Sequence, residues 1–319
     1  MSSFKETVFK ASAPGSLMLL GEYAVLYNKL ALVCAINKRM TVSLKPRQDE
    51  RIEVLSADYG QWATSLKTLV ITPPFQFVSA CLYRYRKKLP TGCDIYITSE
   101  FSDQIGLGSS AAVTVATLAV LHAWIKDYPT NPLELIAEAR SIIREVQTVG
   151  SGADVAASVL GGIVAYRATP LTAEKFSFPL PLTVIYSGSK TPTVIAIRRI
   201  REKFLATPTL FNSLCQAIHQ CTKEGIHALV EKNQARLGAA MNTQQGLMQA
   251  LGVSTPLLDD LLAQLHTNQA IKGAKISGAG WGDCVIGLGE VESLDLEKNL
   301  GQGIQQLKVA ITEQGVERS

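Results

Sequence analysis

The chain has 319 residues, of which 47% are hydrophobic and 18% charged, and its formal net charge is +4. This composition indicates a globular protein of two domains or one large one. Lysine and arginine are scattered and no apolar run reaches spanning length, so we expect neither a nucleic-acid nor a membrane partner. Six cysteines without CxxC spacing, and a start without a signal peptide, indicate reduced thiols in a cytoplasmic protein.

The first part of the chain is rich in predicted strands. Strands are expected at 8–14, 30–36 and 40–44, and the polar stretch 61–69 is expected to be a loop. A strand-rich start before any long helix favours an α+β fold over a doubly wound sheet. Glu22 lies in an apolar run, so it is either a buried residue with a partner or a functional one.

A glycine-rich stretch at 104–113 lies between an alternating strand and an apolar run that predicts a buried helix. Gly106 and Gly108 allow a sharp turn and a close approach to a ligand. Ser109 or Ser110 is placed to cap the helix. Free N–H groups at such a helix start favour an anion, usually phosphate, and a tight turn without a ligand is the alternative.

Asp154 lies just inside another predicted helix start, within the run 149–162. An aspartate that is stabilised there by the helix dipole is one interpretation, and a catalytic carboxylate is the other. The polar, proline-rich stretch 168–181 predicts a boundary between domains at 1–178 and 179–319. Helices are expected between 194 and 266, and a last helix and strand after Leu294.

Several stretches together resemble the motifs of the GHMP kinases, the family of galactokinase, homoserine kinase and mevalonate kinase. Ala13–Val25 resembles the first motif, Gly106–Ala111 the phosphate loop, Ser151–Asp154 the Ser-Gly-x-Asp element, and Ala274–Ile286 the closing glycine-rich loop. They occur in the family's order and span nearly the whole chain.

The resemblance implies an α+β fold with an N-terminal domain like ribosomal protein S5 domain 2 and a ferredoxin-like C-terminal domain. ATP would lie in the cleft between the domains. The implied reaction is transfer of the γ-phosphoryl group of ATP, with Mg²⁺, to a small molecule of the isoprenoid pathway. A homodimer is compatible with the resemblance.

The resemblance also implies roles for particular residues. The catalytic residues would be Asp154, as the base, and Ser16. The nucleotide-binding residues would be Gly106, Leu107, Gly108, Ser109, Ser110 and Ala111. The metal ligands would be Ser110 and Glu145. The substrate-binding residues would be Glu22, Tyr23, Ser151, Gly152, Lys190, Thr193, Ser277, Gly278 and Ala279.

Three positions depart from the family's pattern. Ser16 stands where the family usually has lysine, Tyr23 where mevalonate kinases have histidine, and Trp281 where the closing loop has glycine. Serine can form a hydrogen bond but supplies no charge. A metabolite-binding protein with little turnover is therefore an alternative, although the presence of Asp154 and Glu22 argues against it.

The resemblance leaves two acceptors open. The stretches 241–254 and 187–193 favour mevalonate, which would become 5-phosphomevalonate. Tyr23, 150–157 and 282–284 favour 5-phosphomevalonate instead. We expect mevalonate. A diphosphomevalonate decarboxylase is disfavoured, because the chain lacks that branch's Lys-Tyr-Trp-Gly-Lys start.

Overall fold

The computed structural model describes residues 7–129, 131–294 and 303–319. Within these ranges the chain forms twelve strands and eight α-helices around two sheets. The larger sheet is built mainly from the first half of the chain and the smaller sheet from the second half. The mixture of mainly antiparallel sheets and helices confirms the predicted α+β class.

The larger sheet has eight strands. They are β1 (Phe9–Leu20), β2 (Ala31–Pro46), β3 (Arg51–Ser56), β4 (Gly60–Ser65), β5 (Cys93–Ser99), β6 (Ile163–Ala168), β7 (Leu171–Phe176) and β12 (Glu317–Arg318). The strand order is β12-β1-β2-β5-β3-β4, and β6 and β7 branch from β2. The sheet divides at β2, because Ala31–Cys34 pairs with β6 whereas Met40–Pro46 pairs with β5.

Two sequence expectations in this sheet are wrong. The first strand does not end at Pro14, because a bulge between Pro14 and Ser16 lets β1 continue to Leu20. The expected loop at 61–69 contains most of β4, which pairs with β3 at the sheet edge. An edge strand that is largely exposed does not need the apolar alternation by which strands are recognised.

Four helices lie beside the larger sheet: α1 (Gln76–Tyr85), α2 (Ser109–Ile125), α3 (Pro132–Gln147) and α4 (Ala153–Leu160). Helices α2, α3 and α4 contact its strands, whereas α1 packs on α2 and α3. Helix α2 is buried on nearly every face and lies against β1 and β2, as its apolar sequence predicts. Helix α3 begins with Pro132 after Asn131, whose side chain accepts a hydrogen bond from the Glu134 amide. These helices bring the starts of α2 and α4 close to β1.

The smaller sheet is antiparallel and has the order β11-β8-β10-β9. Its strands are β8 (Leu182–Tyr186), β9 (Ala274–Ser277), β10 (Cys284–Leu288) and β11 (Gln305–Leu307). The helices between β8 and β9 are α5 (Thr193–Lys203), α6 (Pro208–Val230), α7 (Gln234–Leu251) and α8 (Pro256–Thr267), which confirms the predicted helical region. The helix expected after Leu294 falls largely at 295–302, outside the described residues.

The end of the chain returns to the larger sheet. Ile311 forms a bridge with Ile36, and β12 pairs with β1. The final segment therefore lies with the larger sheet, which is built mainly from the first half of the chain. The domain boundary at 178/179 remains a prediction. All six cysteines are buried and free. In the part of the chain that the structure describes, no helix is long and apolar enough to cross a membrane.

Candidate active site

The glycine-rich stretch forms a tight loop that leads into α2. Gly106 and Gly108 have φ values of 72° and 71°, which glycine adopts without strain. Gly108 itself is the N-cap of α2 and no side chain caps the helix, so the expected serine cap is wrong. The loop lies against β1, because the Ser16 amide donates to the Leu107 carbonyl at 3.0 Å. The backbone at the start of α2 is thus left open for a ligand.

Ser16 and Asp154 meet beneath this loop. The Ser16 hydroxyl donates to Asp154 Oδ1 at 2.8 Å. A Cβ at Gly108 would lie only 2.2 Å from Ser16 Oγ, so the loop, β1 and α4 are packed together at this point. Burial raises the pKa of Asp154, and the hydrogen bond from Ser16 opposes that rise. The result is an aspartate that is held in place and is more basic than an exposed one.

Glu22 belongs to a buried ion pair that the sequence did not assign. Its carboxylate accepts from Lys275 Nζ on β9 and from the Gln244 side chain on α7. Glu22 is 3% exposed and Lys275 is 0% exposed. Burial lowers the pKa of Lys275 and the charge of Glu22 opposes that change. The pair joins the end of β1 to the second half of the molecule.

The closing loop contacts β1 and the residues that follow it. The Ser277 hydroxyl donates to the Met18 carbonyl at 3.0 Å, and the Tyr23 hydroxyl donates to the Ala279 carbonyl. Burial, followed by the charges of Asp283 and Glu22, raises the pKa of Tyr23. Tyr23 is therefore a neutral hydrogen-bond donor that fixes the closing loop.

Most of the predicted residues meet at one cavity of about 160 Å³, which we call the central pocket. Its predicted lining residues are Glu22, Tyr23, Ser110, Ala111, Ser151, Gly152, Asp154, Thr193, Gly278 and Ala279. Apolar side chains complete its walls, among them Val25, Leu26 and Ile197. Such a cavity suits a small ligand with both apolar and polar parts.

A second cavity of about 100 Å³ lies on the other side of the loop, and we call it the aromatic pocket. Tyr59, Phe75 and Phe101 line it together with Ser109 and Ser110. Ser110 thus borders both pockets. A ligand that extends past the start of α2 could occupy the aromatic pocket and present its other end to the central pocket.

Some predicted residues lie outside these pockets. Glu145 does not reach the central pocket, because its carboxylate contacts Arg84 and Ser141 on the outer side of α3. Ile143 and Gln147 are the α3 residues that face the pocket. The structure therefore does not support Glu145 as a metal ligand.

Lys190 lies beside the glycine-rich loop and Leu107 lies within it, and neither lines the central pocket. Lys190 Nζ donates to the Asp103 carbonyl, just before the glycine-rich loop. The Leu107 side chain is buried in the core, so only its backbone is available to a ligand.

The sequence interpretation missed Lys275, Gln244 and Asp283 as site residues. Lys275 lies between Ala274 and Ile276 in an apolar strand, and a charge there requires a buried partner. That signal could have identified Lys275 as the partner of Glu22. The sequence contains no comparable signal for the aromatic pocket, whose lining residues come from five separate segments.

Comparison with known proteins finds matches along most of the chain. The sequence matches the family models "GHMP kinases N terminal domain" at residues 76–162 and "GHMP kinases C terminal" at residues 226–303. It is 30% identical over 320 residues to the mevalonate kinase of Aeropyrum pernix, covering 96% of this chain and 97% of that protein. It is 31% identical over 281 residues to the mevalonate kinase of Methanothermobacter thermautotrophicus, covering 86% of this chain and 88% of that protein.

The fold is similar to that of the Lin0012 protein from Listeria innocua, with a TM-score of 0.84 and 23% identity, covering 98% of this chain and 99% of that one. A similarity of this kind concerns the fold, whereas the arrangement around the central pocket comes from this chain's own residues.

Proposed function

The chain belongs to the GHMP kinase family, and from this premise we propose that it transfers the γ-phosphoryl group of ATP to the 5-hydroxyl group of mevalonate. Family membership makes it a small-molecule kinase and confirms the resemblance in its motifs. Its curated relatives over most of the chain are named mevalonate kinase. The observation that carries the proposal is Asp154, which lines the central pocket next to a phosphate-type loop and accepts a hydrogen bond from the buried Ser16 hydroxyl.

The nucleotide is proposed to lie across the start of α2. The backbone of Gly106–Ala111 would bind the phosphates, because free amides at a helix start favour anions. The aromatic pocket would hold the base between apolar and aromatic side chains. Since Ser16 carries no charge, we propose that Lys190, beside Asp103, supplies the positive charge near the phosphates.

Mg²⁺ is part of the proposal. Among residues 7–129, 131–294 and 303–319, no group of three His, Cys, Asp or Glu side chains could hold a metal. Kinases commonly bind Mg²⁺ through few protein oxygens and the substrate phosphates, so a single hydroxyl at the pocket boundary, that of Ser110, fits this requirement. Bound there, the ion would neutralise charge on the phosphates.

Asp154 is proposed as the base. The mevalonate hydroxyl oxygen forms a bond to the γ-phosphorus while the bond between that phosphorus and the β–γ bridging oxygen breaks, which releases ADP. The hydroxyl proton passes to Asp154, whose orientation is fixed by Ser16. Gly278 and Ala279 would close over the acceptor, and Thr193 and Ser151 would position it.

Three further features are proposed from the resemblance: a cytoplasmic location, a homodimer, and two domains that meet near residue 178. Size-exclusion chromatography coupled to light scattering would test the dimer directly. A monomer at micromolar concentration would contradict it.

The central test measures ADP release from MgATP with mevalonate and with 5-phosphomevalonate. Wild type should use mevalonate, and Asp154→Asn should lower kcat by about 10²- to 10⁴-fold, the usual contribution of a positioned base. Because burial raises the pKa of Asp154, the wild-type rate should fall as the pH drops through a pKa above the usual aspartate range.

Asp127→Asn is the matched control, since Asp127 is exposed and pairs with Lys88 far from the pocket. It should keep the wild-type rate. Turnover of 5-phosphomevalonate alone would overturn the acceptor assignment. An Asp154→Asn rate within tenfold of wild type would overturn the role of the base.

A further inference from the structure

Three arginines surround a smaller cavity beside the central pocket. This cavity, of about 80 Å³, is called the arginine pocket here. Arg140 and Arg144 come from α3 and Arg201 comes from α5. The arginine pocket and the central pocket share a wall, made of Val25, Leu26, Val149, Gly150 and Ser151.

In the described ranges, no carboxylate lies within ion-pair distance of Arg140, Arg144 or Arg201. Glu145, which follows Arg144 in sequence, contacts Arg84 instead, and Glu202, which follows Arg201, pairs with Arg198. Arg140 is half-buried and Arg144 and Arg201 are exposed, and all three line this one cavity, so an anion bound in it would reduce the repulsion between their charges.

Arg140 is held in place at the base of this pocket. Its Nη1 donates to the Ala168 carbonyl at 3.1 Å, and its buried Nε has no hydrogen-bond partner. Its side chain packs on Gly152, where a Cβ would lie 2.8 Å from Arg140 Cδ. A buried N–H without an acceptor is uncommon in folded proteins and is consistent with a ligand group that completes the site.

Arg140 and Arg144 also lie near the shared wall. Burial raises the pKa of Tyr166, and the charges of Arg140 and Arg144 oppose that rise. The Tyr166 hydroxyl donates to the Ser151 carbonyl at 2.7 Å. The two guanidinium groups are therefore close to the loop that precedes Asp154.

The central pocket itself supplies no positive charge. None of the described residues that line it is Lys or Arg. Two acidic residues, Glu22 and Asp154, do line it. The charge of Glu22 is compensated by its ion pair with Lys275, so Asp154 is the group in this lining that disfavours the charged end of an anionic acceptor. The arginine pocket is the adjoining space that offers the opposite charge.

We propose that the arginine pocket binds the carboxylate of the acceptor, while the reacting hydroxyl lies at Asp154, and that this pocket selects hydroxy acids over neutral alcohols. The inference rests on the proposed function and deepens it. Arg201 comes from the second half of the chain and Arg140 and Arg144 from the first. A bound carboxylate would therefore hold the two halves together around the acceptor.

The test compares Arg144→Gln and Arg201→Gln with wild type. Each substitution should raise the KM for mevalonate about 10- to 100-fold, since hydrogen bonds to charged groups contribute that much to binding. The KM for ATP and kcat should change little. Arg140 is not substituted in this test. Its side chain packs on Gly152, so we expect its variants to disturb folding as well as binding.

Arg198→Gln is the matched control, since Arg198 lies on the same helix as Arg201 but pairs with Glu202 and does not line the arginine pocket. A second arm uses the neutral amide of mevalonate, for which wild type, Arg144→Gln and Arg201→Gln should have similar KM values. A third arm measures binding of mevalonate by calorimetry without ATP, so that it does not depend on turnover.

The outcomes separate the two proposals. Mevalonate binding and turnover with the same KM in wild type, Arg144→Gln and Arg201→Gln would overturn the arginine pocket alone. Turnover by wild type with neither mevalonate nor 5-phosphomevalonate would overturn the proposed function. Absence of both calorimetric binding and turnover of mevalonate and of 5-phosphomevalonate with wild type would overturn both. If only 5-phosphomevalonate reacts, its carboxylate should show the same dependence on Arg144 and Arg201.

Discussion

Asp283 is a buried carboxylate that neither the proposed chemistry nor an ion pair explains. It directly precedes β10 and adopts a φ of 63°. Burial raises its pKa to about 6, while the charge of Lys190 and the Ala279 amide oppose the rise. Its Oδ1 has no hydrogen-bond partner and faces Gly106, where a Cβ would lie 3.0 Å away. The ionised form is therefore costly in this position.

We predict that Asp283→Asn stabilises the protein at alkaline pH. The folded-state pKa is raised from the ordinary 3.8 to about 6, so the contribution of Asp283 to stability is most favourable below pH 4 and is lost as the pH rises through 6. Asparagine stays neutral and tolerates positive φ. The free energy of unfolding should rise by about 1–3 kcal/mol at pH 8 and change little at pH 4.

Urea unfolding at the two pH values measures this effect. Asp260→Asn, an exposed aspartate on α8, serves as the control and should show no such difference between the two pH values. An equal change at pH 4 and pH 8 for Asp283→Asn would mean that packing, not charge, determines the result.

At the scale of single residues, the sequence could identify chemistry but not partners. Asp154 and Ser16 were recognisable from their motifs, yet their hydrogen bond joins positions 138 residues apart. Lys275 is a charge in an apolar strand, which signals a partner without saying which one. The sequence likewise shows that Ser16 stands where the family usually has lysine. Only the fold shows that another lysine, Lys190, lies beside Asp103 just before the glycine-rich loop.

At the scale of elements, local signals predicted the turn and helix of the phosphate loop but not their detailed geometry. The strand, the glycine turn and the buried α2 follow from periodicity and glycine placement. The serine cap failed because Gly108 occupies the N-cap in the left-handed conformation. The close approach of Ser16 also leaves no room for a side chain at this position, a tertiary contact that no local rule includes.

Gly108→Ala tests this packing. Alanine would place a Cβ 2.2 Å from Ser16 Oγ at a φ of 71°, so Ser16 or the loop must move. We predict a loss of about 1–3 kcal/mol in the free energy of unfolding and at least a tenfold rise in the KM for ATP.

Gly246→Ala provides the matched control for that experiment. Gly246 lies within α7 and a Cβ there meets nothing within 4 Å. This change should leave ATP binding intact and stabilise the helix by up to about 1 kcal/mol. A Gly108→Ala variant with the wild-type KM for ATP would show that the loop adapts without cost.

At the scale of the whole molecule, the path of the last residues could not be predicted. The pairing of β12 with β1 joins residues at opposite ends of the chain. Gly315 fits tightly against α4, where a Cβ would lie 2.1 Å from the Val159 carbonyl oxygen. A two-residue strand has no periodic signal, so its position depends entirely on tertiary packing. Consequently the part of the fold around the smaller sheet does not contain the whole C-terminal half of the chain, because β12 belongs to the larger sheet.

The Glu22–Lys275 pair connects the two sheets, and we predict that removing one partner is far more harmful than removing both. Glu22→Gln leaves Lys275 unpaired at a fully buried position and should cost about 3–5 kcal/mol of unfolding free energy. Adding Lys275→Met removes the uncompensated charge and should restore much of that loss. A double-mutant cycle with urea unfolding measures the coupling between them.

Activity gives the pair a second readout. If the pair only stabilised the fold, the double variant would regain kcat along with stability. We expect stability without full activity, because Glu22 also lines the central pocket and Lys275 precedes the closing loop that contains Ala279. Two uncharged side chains can fill the same volume, but they do not fix the direction in which the closing loop approaches β1. Full recovery of kcat in Glu22→Gln/Lys275→Met would assign the pair a purely structural role.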